Sequence, residues 1–191
     1  NNTVFEKYVD FRENRLNFIF KKAIKKQIDK LKNHKLLKRN GIIEYPEYGF
    51  KELSIICKKI KKLNGGVLFI DYGYENKKNI NTLQSVMKHK FNDISKNVGN
   101  ADITSLVNFG LYKEYFSSND LFVENILSQS EFLQKMGIIE RVKIAGNKMT
   151  SLERSNLHLR IRRLIDPQMM GKNFKVIFAK NKKCNFSLAF R

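Results

Sequence analysis

The stretch Gly65 to Tyr74, GGVLFIDYGY, limits what this chain can fold into more than any other part of it. Val67, Leu68, Phe69 and Ile70 follow the Gly66 lead-in without polar interruption and run into Asp71, Tyr72 and Gly73. Such a run reads as a strand buried on both faces that ends in a polar turn, and strands of that kind belong in mostly parallel sheets. In open α/β sheets the ligand crevice lies outside the carboxyl ends of the strands. Asp71 and Tyr72 are expected there, with Gly73 as a turn glycine of unusual φ.

Upstream, Phe50, Leu53, Ile56, Cys57, Ile60 and Leu63 recur at helical spacing between Tyr48 and Leu63, with lysines opposite them. That predicts an amphipathic helix leaving through Asn64, Gly65 and Gly66 into the strand, half of a βαβ unit. Thr3 to Phe20 reads as a β-hairpin around a polar Glu13-Asn14 turn. Phe5, Phe11, Phe18 and Phe20 are then its inward face; the rival reading has them stacking on bases. Lys21 to Arg39 is either a basic surface helix or a mobile excursion, and Ile42 to Tyr45 is a short extended piece stopped by Pro46.

Downstream, residues 82–99 have the composition of a structured loop with one helical turn, and Ala101 to Phe109 is extended and enters a helix at Gly110 to Phe116. Asp120 to Ile126 is a strand, and Ser130 caps a helix that closes at Gly137 and carries Phe132 and Met136 as core. Thr150 and Glu153 form a capping box for a helix that Pro167 ends. Phe174 to Ala179 is a further strand, joined through Lys182-Lys183 to a last one over Asn185 to Phe190. The fold class is α/β with an antiparallel edge.

Among 191 residues, Lys and Arg number 37 against 18 Asp and Glu, a net charge of +19. A patch of that sign attracts nucleic acid, an anionic membrane or an acidic protein, although lysine pairs such as Lys21-Lys22 and Lys58-Lys59 also suit solvated helix faces. Cys57 and Cys184, with His34, His89 and His158, offer neither a disulfide framework nor zinc-ligand spacing, so no metal is expected and a reducing compartment fits. No apolar run approaches the roughly 20 residues that cross a bilayer. The opening residues carry neither an apolar leader nor an initiator Met, and the chain reads as a piece of something longer.

Five blocks in order, GGVLFIDYGY, TLQSVMKHKFNDI, VGNADITSLVNF, SQSEFLQKMGI and DPQMMGKNFKVIFAKN, resemble the carboxyl-terminal half of the MidA-type class I methyltransferases. That family depends on S-adenosylmethionine and includes the mitochondrial complex I assembly factor that methylates a protein arginine. The resemblance runs from about Glu44 to Asn181. It implies the carboxyl-terminal part of a Rossmann-like sheet with helices on both faces, an antiparallel edge and an inserted amino-terminal β-hairpin. It also implies one partial domain, with residues 1–40 as hairpin and basic helical insertion and 41–191 as the carboxyl-terminal half of sheet and helices. On the family pattern the chain starts after the fourth strand and lacks the glycine-rich cofactor turn. Alone it should bind S-adenosylmethionine poorly and be inactive, with a separate amino-terminal half as a candidate partner.

The resemblance also nominates residues. Asp71, Asp102 and Glu44 are the carboxylates suited to a guanidinium, and His89, in the family's HK element, is a proton acceptor or positioner. Tyr72, Thr104 of the DxT element and Asn108 are placed on the substrate side, Asn108 standing where the family usually has Asp. The structural alternatives are plain: Asp71 and Asp102 as turn or helix caps, Tyr72 as packing, His89 as a solvent histidine. A protein substrate, a complex I subunit among them, and a bacterial cytoplasmic or mitochondrial matrix setting follow from the resemblance alone. Against it stand a non-enzymatic basic module for nucleic acid or an acidic protein, and a structural assembly factor on a methyltransferase fold.

Overall fold

The computed structural model describes residues 3–12, 15–38, 40–76, 79–187 and 189–190. In chain order it forms β1 (Phe5–Arg12), β2 (Arg15–Lys22), α1 (Lys25–Asn33), a 3-10 turn (Leu36–Lys38), α2 (Glu47–Leu63), β3 (Gly66–Tyr74) and β4 (Gln84–Met87). There follow β5 (Lys90–Asn92), β6 (Asp102–Thr104), β7 (Val107–Asn108), α3 (Phe109–Ser118), β8 (Phe122–Val123), β9 (Leu127–Ser128), α4 (Gln129–Lys135), α5 (Ile138–Gly146), α6 (Ser151–Ile165) and β10 (Phe174–Lys180). Two compact units result, Asn1–Tyr45 with Lys77–Leu106, and Pro46–Asn76 with Val107–Arg191.

The first unit opens on the expected hairpin, β1 and β2 pairing antiparallel from Phe5 opposite Lys22 to Arg12 opposite Arg15. Its Glu13-Asn14 turn lies outside the described residues. Phe5, Phe11, Phe18 and Phe20 do share one face, but that face is open: Phe11 and Phe20 are each 64% exposed. Alternation puts aromatic residues on one face of a two-stranded ribbon but does not by itself supply a core for that face. Of the two readings of residues 21–39, the helix holds; α1 buries no residue and is tied to the hairpin where Gln27 donates to Glu6 and the Ala23 N–H donates to Val4. The loop expected over residues 82–99 contains the β4–β5 hairpin, which β6 beyond it extends into a three-stranded antiparallel sheet in the order β5-β4-β6. Strands of three or four residues are too short to print a period of two.

In the second unit β3 pairs antiparallel with β10 from Gly66 to Tyr72, and β10 pairs antiparallel with β8 and β9. Among the described residues, the other edge of β3 pairs only at its end, where Gly73 and Tyr74 meet Val107 and Asn108 in parallel. The mostly parallel surroundings expected for β3 are therefore not what it has, and Leu68, Ile70 and Tyr72 are each near 45% exposed. The strand buried on both faces is β10, with Val176, Ile177, Phe178 and Ala179 in the core. On one side of the sheet Phe69 meets Phe116 and Tyr112 of α3, and Phe50 of α2 stacks on Tyr115 at 4.2 Å. On the other, Phe178 packs on Phe186 and Phe190, and Phe190 reaches Phe132 of α4. Helices on both faces and an antiparallel edge are as expected.

Several local readings shift. The residue capping α4 is Ser128 rather than Ser130, its hydroxyl and Glu131 forming a capping box. Gly137 does adopt a left-handed φ of 76°, and a helix absent from the sequence reading, α5, begins immediately after it. The strand over Asp120 to Ile126 shrinks to the two-residue β8, with β9 just beyond. Among the described residues after Lys182 there is no strand: a turn closed by the Cys184 N–H on Asn181 leads Phe186 and Phe190 onto Phe178 instead.

Candidate functional site

The carboxyl end of β3 is held by two glycines. A Cβ on Gly73 would lie 2.2 Å from the Val107 carbonyl oxygen, and one on Gly110 would lie 2.1 Å from that of Glu75. Only hydrogen fits at either place, so β3 and the start of α3 come into backbone contact. Gly73 is thus a close-approach glycine inside the strand and not a positive-φ turn residue, because β3 runs on to Tyr74.

Three nominated residues lie in this unit. Asp71 is exposed within β3, accepts a hydrogen bond from the Tyr72 N–H at 2.7 Å, and stands opposite Lys175 in the β10 register. Its charge reaches Tyr112: burial first, and then Asp71, push that phenol above its usual range. Tyr72 lies 3.8 Å, centroid to centroid, from Phe174. Asn108 is buried and caps α3, its side-chain oxygen accepting from the Leu111 N–H at 3.0 Å. Asn and Asp serve this position about equally well, so either residue here would keep the cap.

Sequence reasoning did not find the cleft of about 450 Å³ beside this end of the sheet. Glu75, Glu131, Lys172 and Lys175 line it, with Ser128 and Ser130 from the start of α4. Hydrogen bonds from the Ser128 hydroxyl and backbone hold the Glu131 carboxyl below its ordinary range. Glu75 belongs to no pattern in the sequence, whereas Glu131 follows Ser128 at capping-box spacing, a signal the sequence does carry.

The first unit holds the other four. Glu44 is half-buried and its carboxylate is fully engaged: one oxygen accepts from the Thr82 and Leu83 N–H groups at 2.7 and 3.0 Å, the other from the Thr82 hydroxyl. Thr82 Oγ1 in turn accepts from the Leu106 N–H at 2.9 Å. Glu44 thereby fixes both ends of the segment carrying β4, β5 and β6. Asp102 is exposed on β6 opposite Val86, and Thr104 accepts from the Gln84 side chain at 3.2 Å. His89 forms with Lys88 the two-residue turn between β4 and β5, both with positive φ, 63° and 50°. Such turns usually carry Asn-Gly, so a Lys-His pair in this place is strained. His89, Asp102 and Thr104 thus share one small sheet that Glu44 anchors, while Asp71, Tyr72 and Asn108 share the end of β3.

No glycine-rich strand-to-helix turn appears among the described residues; Gly65 follows α2 and Gly66 begins β3, so this pair leads into a strand. Nor do His, Cys, Asp and Glu group as metal ligands among the described residues.

Residues 1–126 match a family profile described as "Putative S-adenosyl-L-methionine-dependent methyltransferase". Among curated proteins, the mitochondrial protein arginine methyltransferase NDUFAF7 of Danio rerio is 27% identical over 120 residues, covering 63% of this chain and 28% of that protein. The protein of the same name from Homo sapiens is 29% identical over 139 residues, 71% of this chain and 30% of that one. Among solved structures, an uncharacterised Burkholderia thailandensis protein superposes with a TM-score of 0.78 at 19% identity over 97% of this chain and 50% of its own. A second from the same organism, bound to S-adenosyl-homocysteine, gives 0.75 at 21% over 97% and 49%. The chain thus spans less than a third of the curated relatives and about half of the solved ones. With two thirds of its length inside the family profile, the chain belongs to this family of S-adenosyl-L-methionine-dependent methyltransferases.

Proposed function

We propose that this chain is the carboxyl-terminal part of a protein arginine N-methyltransferase, one partial domain that acts when an amino-terminal half supplies the cofactor cradle. The observation that carries the reading is the family match over residues 1–126; the arginine specificity follows the names of the curated relatives. The open edge of β3 over Gly66 to Tyr72 supports the need for a second half. A protein substrate, with a subunit linked to respiratory complex I assembly as the finer proposal, follows the resemblance. The family match favours this over a nucleic-acid module.

The cofactor's cradle is assigned to the amino-terminal half. What this chain contributes is acceptor chemistry. A guanidinium must be oriented, neutralised and relieved of a proton, for which planar carboxylates are suited. Asp71 and Asp102 are the exposed carboxylates offered; Tyr72 and Thr104 flank them in sequence, and His89 is the candidate proton acceptor. Glu44 already accepts three hydrogen bonds, so its role is positioning, through Thr82. Asn108 acts through the cap of α3.

The test is calorimetric titration of S-adenosylmethionine into the chain alone and into the chain mixed with the polypeptide encoded immediately upstream. Heat of binding only in the mixture, followed by methylation of an arginine peptide, is expected. Absence of binding in both, with the chain folded, removes the reading and leaves a structural role. Within an active mixture, Asp71→Ala or Asp102→Ala variants that keep full methylation strike those residues from the acceptor list.

A further inference from the structure

The β1–β2 register sorts its side chains by chemistry. Phe5, Val9 and Phe11 of one strand, with Leu16, Phe18 and Phe20 of the other, lie on one face, and the only charges with them among the described residues are Lys7 and Lys22. The hairpin's described acids, Glu6 and Asp10, are on the opposite face and are engaged there: Glu6 by Tyr8 and Gln27, Asp10 by Arg12 at 2.6 Å. The acid-free face is open, with Phe5 at 57%, Val9 at 62%, and Phe11 and Phe20 at 64% exposure. A two-stranded ribbon is marginal in water, and a contiguous apolar patch of this kind marks an interaction surface.

We propose that this face docks on an anionic lipid surface. Its composition selects that occupant. Interface cores between proteins are depleted in lysine, whereas at a lipid boundary lysine stems lie along apolar side chains and carry the ammonium out to the headgroups. Lys7 lies on this apolar face with its Nζ over the Phe18 ring, 3.7 Å from the centroid, so a cation is already accommodated among the aromatic side chains. Next in the chain come Lys21, Lys25, Lys26, Lys30 and Lys32, and the net charge is +19, which draws the unit to phosphate-rich surfaces. The same charge opposes a second copy, since two such faces would set Lys7 and Lys22 against themselves. No helix among the described residues is long and apolar enough to cross a membrane, so the contact is peripheral. The inference stands independently of the methyltransferase reading.

The protein contains no tryptophan, so Phe11→Trp in the full chain gives a single reporter on the face. It is titrated with vesicles of phosphatidylcholine alone and of phosphatidylcholine mixed with phosphatidylglycerol, with cosedimentation in parallel. A blue shift and cosedimentation with the mixed vesicles only is expected. Lys7→Glu with Lys22→Glu should weaken binding roughly tenfold or more, and Phe20→Ser should weaken it with an unchanged circular dichroism spectrum. Lys58→Glu with Lys59→Glu on α2 makes the same change in net charge and should lower binding much less. Equal losses in the two lysine pairs would overturn the proposal, since net charge alone would then explain the binding. So would equal binding to neutral vesicles, no blue shift, or a dimer in solution that Phe20→Ser dissociates. If Phe20→Ser disturbs the fold, the lysine pairs decide.

Discussion

At the scale of single residues, Asn108 is the clearest case of a side chain whose work the structure redefines. It closes the first turn of α3 by accepting from the Leu111 N–H, and it is buried there. Asn108→Ala should cost about 1 kcal/mol in urea unfolding, while Asn108→Asp should hold or gain a few tenths, about 0.3–1 kcal/mol, because a carboxylate favours the positive end of a helix. If the Asp variant loses as much as the Ala variant, the cap is not what the residue supplies. Lys180 is the second case. It is 7% exposed at the end of β10, with Nζ 2.9 Å from Glu124 and 2.6 Å from the Phe186 carbonyl oxygen. Removing one partner of such a pair strands the other charge, so Lys180→Met should destabilise by about 3–5 kcal/mol. The double variant with Glu124→Leu should recover much of that loss, and a thermal melt of the three proteins checks it.

At the scale of elements, the capping boxes make stability depend on acid in a defined direction. Glu131 has its folded-state pKa lowered, chiefly by the Ser128 hydroxyl and then by its backbone N–H. A depressed carboxylate contributes stability above its unfolded pKa and loses it as pH falls through the folded one. Ser128→Ala should therefore lower stability at neutral pH and flatten the decline below about pH 4.5, the ordinary carboxyl value; a parallel, unflattened decline would dismiss the box as its source. The Lys88-His89 turn carries the opposite kind of message. Lys88→Asn with His89→Gly should stabilise the β4–β5 hairpin by about 1 kcal/mol, since both positions need positive φ. In a methylation-competent mixture the same change should lower activity if His89 serves the chemistry. Helices α2 and α6 and the strand β10 were legible because seventeen, fifteen and seven residues give a period room to repeat, and because Thr150 and Glu153 mark a start. The sheet of β4, β5 and β6 was not, since its order comes from partners distant in sequence, such as Val86 opposite Asp102. Asp71 and Tyr72 were expected in a turn past the strand and instead lie inside it, because pairing with β10 carries β3 on through them; Glu44's engagement with Thr82 and Leu83 had no local signature at all.

At the scale of the whole molecule, the apolar run from Val67 to Ile70 is only half accounted for by its own surroundings. Leu68, Ile70 and Tyr72 point to a face that remains substantially exposed, and the ladder on the free edge of β3 stops at Gly73. An edge this long and apolar is a template for another strand. In the antiparallel ladder with β10, alternate amides between Gly66 and Tyr72 point away from the partner strand. Hydrogen exchange followed amide by amide should find those outward groups fast in the isolated chain and the inward ones slow. Adding the upstream polypeptide should slow the outward set while leaving the β10-bonded set unchanged, and it should do so at the concentrations where S-adenosylmethionine begins to bind. A mixture that binds the cofactor while the outward amides of β3 still exchange freely would mean that the sheet is not continued at this edge. The amino-terminal half would then have to meet the chain elsewhere, and the uninterrupted Val67 to Ile70 run would need another cover.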